Sequence, residues 1–160
     1  MPKVHHVRKA RKSYSNEGIE KGASYYWWQF AFGAKMRSKV APKRSQLTQS
    51  GFLSNLYDLQ DGLNNRFTDI DAIEDDKQAL IDELQQMQDE CQDSLDNMPE
   101  HLQESSTSGE LLTERIEALT EWIDELEGID TDIDEDLKGT NREERYQEII
   151  NEILETDSHL

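Results

Sequence analysis

Near the start of the chain, aromatic side chains are interleaved with cations. In SYYWWQFAF, residues 24–32, and KMRSKV, residues 35–40, side chains alternate across a strand, so Tyr25 and Trp27 share a face with Lys35, Arg37 and Lys39. Rings on such a face can stack on bases while Lys and Arg neutralise phosphates, and Lys43 and Arg44 extend the same positive field. The pattern predicts nucleic-acid contact, although a protein-binding or simply solvated face satisfies it equally well.

Other chemistry is sparse. Asp130, Asp132 and Asp134 open like a calcium loop, but Glu135 stands where the sharp turn needs Gly and Asn141 where a bidentate Glu is required. An acidic helical turn carried by Ile129, Ile133 and Leu137 accounts for them better. His5, His6, His101 and His159 have no partners at a metal-site spacing, and Cys91, the single cysteine, reads as a small buried hydrophobe. Nucleotide-binding glycine series, nucleophile elbows and zinc-protease motifs are absent from the chain. Carboxylates abound only where helical faces are solvated, so a non-enzyme without cofactor or metal is expected.

Sign of charge divides the chain. Residues 1–50 hold eleven of the 17 Lys and Arg against Glu17 and Glu20, a formal +9, and the other 110 residues carry −27. Only 34% of residues are apolar, too few for a large globular core at 160 residues, and no run approaches a membrane span. MPKVHHVRKARK lacks the apolar region of a signal peptide, so a soluble, cytoplasmic protein is expected.

These residues need two kinds of element to position them. Gly33-Ala34 is expected to turn an antiparallel hairpin, with a third strand somewhere in residues 3–12. Tyr26, Trp28, Phe30 and Phe32 would form its core under Leu47, Phe52 and Leu53, leaving the Tyr25 and Trp27 face outward. From Ser45 no Pro occurs until Pro99. Counting by sevens gives Leu56, Leu63, Ile70, Lys77, Leu84, Cys91 and Met98, and three residues on Leu59, Arg66, Ile73, Leu80, Met87 and Ser94. This predicts one helix over 45–98 carrying a coiled-coil or hairpin arm of about 75 Å, in which Arg66 and Lys77 on the seam can snorkel or specify register. Residues 99–109 would turn, and capping spacings at Thr107/Glu110 and Thr140/Glu143 open return helices near 109–128 and 141–155. The fold class is therefore α+β: a basic, aromatic, β-rich head over 1–44, a heptad helix over 45–98, a turn over 99–109, returning helices over 110–156 and a tail over 157–160. The helices close as an antiparallel hairpin or as a dimeric coiled coil.

The stretch AFGAKMRSKVAPKRSQLT, residues 31–48, resembles the N-terminal arm-binding module of tyrosine-recombinase integrases. In that family the sheet lies in a DNA groove, which implies contact roles for Lys35, Arg37, Lys39, Lys43 and Arg44. The catalytic domain of those enzymes is missing, so recombination is not implied. The broader run SYYWWQF…GAK..SK..PKRSQLTQS resembles small uncharacterised tailed-phage proteins and implies a phage accessory gene.

Together these features point to an interaction protein whose head takes nucleic acid or a nucleoprotein. Its acidic arm would take a host or phage protein, or a second copy as a homodimer. One alternative is a DNA-mimic-like or other protein-directed inhibitor of a host defence or nucleic-acid enzyme, acting through exposed acids such as Asp75, Asp76, Asp89 and Glu90. Another is a structural virion or scaffold component.

Overall fold

The computed structural model describes residues 1–134 and 136–157. It divides into two compact units, Met1–Gly62 and Leu63–Leu160, described separately below. Division falls later than the head boundary expected at residue 44, because the first helix packs with the head. The units carry formal charges of +7 (eleven cations, four acids) and −25 (six cations, 31 acids).

In the N-terminal unit, β1 (His5–Val7), β2 (Tyr25–Gln29) and β3 (Lys35–Ser38) form an antiparallel sheet in that order. Trp27 lies opposite His5 on one side and Arg37 on the other, and pairing ends at Gln29 with Lys35. The connection is thus five residues, 30–34, rather than a tight Gly33-Ala34 turn. Within it the Gly33 amide donates to the Phe30 carbonyl and the Gln29 side-chain amide to the Gly33 carbonyl, which closes the longer loop. Phe30 and Phe32 therefore leave the sheet: Phe30 is half-buried, and Phe32, expected in the core, is fully exposed. Trp28 is buried as expected, whereas Tyr25, expected to face outward, is buried against Ala10 and Ile19. The segment 8–24, not a helix, covers that face.

After Pro42 the chain makes a 3-10 turn, Arg44–Leu47, and then α1, Gly51–Gly62, whose Ser50 hydroxyl accepts from the Leu53 amide. Ser45 donates to Asp58 and Ser54 to the Ser45 carbonyl, tying turn to helix. The single helix expected over 45–98 does not form. It breaks between Gly62 and α2, Ile73–Asp96, with 3-10 turns at Leu63–Asn65 and Ile70–Ala72. Gly62, Asn64, Asn65 and Thr68 are weak helix formers, and the Asp69 carboxylate accepts from the Asp71 amide in place of a continuing helix bond. The arm is accordingly shorter than expected, since 24 residues of α2 rise about 36 Å.

The C-terminal unit is helical. After α2 come α3, Glu100–Gln103, α4, Thr107–Glu127, and α5, Thr140–Glu155. Heptad seams hold within α2: Ile73, Lys77, Leu80, Leu84, Met87 and Cys91 are buried, with Ile81 beside them. Antiparallel α4 packs along α2 through Leu119, Trp122, Ile123 and Leu126, and α5 contributes Tyr146, Ile149 and Ile153. Burial pushes the Cys91 thiol up, as a small buried hydrophobe requires. Capping differs in detail. Ser106, not Thr107, accepts from the Gly109 amide, and α5 starts behind Gly139 with Thr140 already its first residue. No helix of the described residues is long and apolar enough to cross a membrane.

Lys77 is buried on the seam as a paired cation. Its buried ammonium donates to the Ile129 carbonyl at 2.9 Å and pairs with Glu74 at 3.3 Å, while the Thr131 hydroxyl also donates to Glu74. This node fastens the segment after α4 to the start of α2. The acidic helical turn expected around residue 133 is absent: Asp130 and Asp134 accept from the amides of Asp132 and Asp136, and these local turns displace helix. Glu135 and His159 lie outside the described residues.

The node also sets a pH dependence. Donation from Thr131, and then from Lys77, holds the Glu74 carboxyl below its ordinary value against burial. Its stabilisation is complete above the unfolded-state value and lost as pH falls through the lower folded one. Glu74→Gln is therefore expected to flatten part of the acid-side fall in thermal midpoint. Midpoints from neutral to acidic pH check this, and parallel curves would contradict it.

Candidate nucleic-acid interface

The aromatic and basic residues singled out in the sequence do come together, but mostly as partners of one another. Trp27 carries the His5 ring stacked at 4.1 Å, nearly parallel, and the Lys35 ammonium 3.6 Å from its ring centroid. His5 and Lys35 sit on the strands flanking β2, so both faces of the indole are covered. Such a ring has no free face for a base. Tyr25 is equally unavailable, being buried and hydrogen-bonded to Tyr14.

Arg37 is likewise committed. Its guanidinium lies 4.3 Å from the Tyr14 ring centroid and donates to Glu17 at 3.2 Å, and its Nε is buried without a partner. The hydrogen bond from Tyr25 holds the Tyr14 phenol below its ordinary value, aided by the charges of Arg37 and Lys12 and opposed by burial. That same bond, with burial, pushes Tyr25 up. Expected stacking at Tyr25 and Trp27 and phosphate contact at Arg37 would thus have to displace existing contacts, because the sheet face that carries them is the packed one.

The remaining candidates stay in solvent. Lys35 and Lys39 are exposed, Lys43 is 3.8 Å from Asp58, and Arg44 lies over the Tyr57 ring at 4.1 Å.

A stronger basic surface follows β1, the third strand expected within residues 3–12. After β1, residues 8–24 form a loop with a 3-10 turn, Ser15–Glu17, and a Tyr14–Ile19 bridge. Ala10 is buried and pinned on both sides, its amide donating to Ala23 and its carbonyl accepting from Gly22, each at 2.8 Å. Gly22 sits at φ 92°, which an L side chain adopts only under strain. Arg8, Lys9, Arg11 and Lys12, flanking that anchor, are all exposed. The Lys39 ammonium approaches the same loop: a methyl placed on Gly18 would stand 3.2 Å from it. The signal was RKARK itself, whose lone small residue between cation pairs suits an anchored loop better than a strand alternating apolar and polar.

In the acidic unit Asp75, Asp89 and Glu90 are exposed on α2 and Asp76 is half-buried. Among the described residues no group of His, Cys, Asp or Glu is arranged to hold a metal ion. His5 and His6 instead stack on Trp27 and Tyr26. Comparison with protein-family models, with curated proteins and with solved structures yields no match.

Proposed function

We propose that this chain is a non-enzymatic interaction protein whose basic N-terminal unit binds nucleic acid or a nucleoprotein and whose acidic helical unit binds protein. One observation carries the nucleic-acid half: a loop held by a buried Ala10 that presents Arg8, Lys9, Arg11 and Lys12 to solvent together. Anchoring the backbone in advance lowers the ordering cost of four phosphate contacts, and Lys39 adds a fifth cation. Lys35, Lys43 and Arg44 contribute to the field while keeping their intramolecular partners. Its phage accessory character rests on the sequence resemblance, and its cytoplasmic setting on an N-terminal segment without the apolar region of a signal peptide.

The test is anisotropy of labelled duplex DNA, duplex RNA and single strands with the full chain over a salt series. Binding is expected to fall steeply with salt. Replacing Arg8, Lys9, Arg11 and Lys12 by Ala should reduce the slope of log K against log salt by roughly 3 to 4 on duplex DNA. Salt-insensitive binding, or a quadruple variant equal to the parent, would overturn the nucleic-acid half.

A second reading has its own support. The −25 charge of the helical unit is concentrated on exposed helical faces, including Asp75, Asp89 and Glu90, which suits an inhibitor that occupies a basic groove of another protein in place of nucleic acid.

A further inference from the structure

Among the described residues the exposed large apolar side chains fall into two groups. Met1, Phe32, Met36 and Val40 lie in the N-terminal unit, and Leu102 and Leu111 lie where α2 turns back towards α4. Met1 of the first group lines a groove of about 500 Å³ within the N-terminal unit, together with Phe30, Ala31, Leu47, Leu53 and Tyr57. That volume is typical of a concave binding site. Cations outnumber acids around it, with Asp58 beside Lys43. Arg44 lies over the Tyr57 ring, Lys43 is its neighbour, and Lys35 faces Gln29 across the strand register.

The second group has the opposite surroundings. Leu102 lies between Glu100 and Glu104, and Leu111 between Glu110 and Glu114, all four acids being exposed. The Gly109 Cα approaches the α3 backbone so closely that a methyl there would meet the Gln103 carbonyl oxygen at 2.0 Å. This close approach holds α3 against the start of α4, so both leucines belong to one end of the helical hairpin.

We infer that the groove of one copy receives the Leu102 and Leu111 end of the hairpin of a second copy. Apolar anchors meet an apolar groove, and acids flanking the anchors meet cations flanking the groove. At about 0.1 M salt the Debye length is about 10 Å, so these adjacent opposite charges attract while the like charges of two net-acidic chains are screened over longer distances. Different surfaces are used on the two copies, so the contact is heterologous. Copies therefore add head to tail unless a ring closes. The inference deepens the protein-binding half of the proposed function, with a second copy as the partner, and does not depend on nucleic acid.

Sedimentation velocity of the nuclease-treated full chain over a concentration series tests it. The parent is expected to self-associate and to do so less at 1 M salt. Leu111→Glu at the hairpin end, and separately Ala31→Glu at the groove, should each weaken association roughly thirtyfold or more. Mixing the two variants should restore a heterodimer, because one intact groove then meets one intact hairpin end. Glu110→Lys with Glu114→Lys, exposed changes that spare the leucines, should weaken association as well, with helicity checked by circular dichroism. The variant lacking Arg8, Lys9, Arg11 and Lys12 side-chain charge should associate like the parent, which separates this inference from the nucleic-acid half. A parent that stays monomeric, hairpin-end variants that associate normally, or a mixture that fails to associate would each overturn it.

Discussion

Trp122→Ala is expected to destabilise the helical unit by about 3–5 kcal/mol, the range for deleting a large buried aromatic. Trp122 is fully buried, and its indole N–H donates to the Thr156 hydroxyl at 2.7 Å just beyond α5. Truncation would leave a cavity in the α4 layer and remove this tie. Thr156 keeps a second bond, donating to the Ile153 carbonyl, so most of the loss comes from the cavity. Trp122→Phe should cost far less, since it keeps most of the apolar volume. Urea unfolding followed by helical circular dichroism checks the pair. A loss below about 1 kcal/mol for the alanine variant would show that the site collapses without cost.

The second large effect is expected at Gly109. In an ordinary helix interior Gly→Ala gains about 1 kcal/mol. Here the added Cβ would stand 2.0 Å from the Gln103 oxygen and 2.7 Å from the Leu102 oxygen, both backbone atoms that cannot rotate away. Overpacking of this kind costs typically about 1–3 kcal/mol and more when backbone must move, so the clash outweighs the propensity gain. Gly109→Val should be worse still, with α3 detached from α4. Gly62→Ala is the control, because nothing lies within 4 Å of its added methyl. Thermal midpoints should fall by several degrees for the Gly109 variants and change little for Gly62→Ala. Equal midpoints at both positions would contradict the close approach.

Much of the α+β organisation was legible in local pattern. Alternation placed the strands, because successive side chains on a strand must point to opposite faces. Seven-residue spacing placed the buried stripe from Ile73 to Cys91, because a helix returns to the same face at that interval. Segregation of charge anticipated two units of opposite sign, and the seven-residue count placed Lys77 on the buried seam, where it bonds to Ile129.

Tertiary structure decided what local pattern leaves open. Alternation says that Tyr25 and Trp27 share a face but not which face receives the larger cover. Both faces of β2 are aromatic, so only the fold of residues 8–24 over one of them buried Tyr25, and only the flanking strands closed Trp27 between His5 and Lys35. The seven-residue phase also runs unbroken through Leu56, Leu63 and Ile70, so it gave no sign of the break. Gly62, Asn64, Asn65 and the Asp69 cap carried that information in their backbone preferences, which an apolar count does not weigh. The exposed cations followed the same rule. A cation that folds beside a ring or a carboxylate, as Arg37 does between Tyr14 and Glu17, is committed by a partner distant in sequence. On the Ala10 loop Arg8, Lys9 and Arg11 remain in solvent, and Lys12 stays exposed with its ammonium 5.5 Å from the Tyr14 ring centroid.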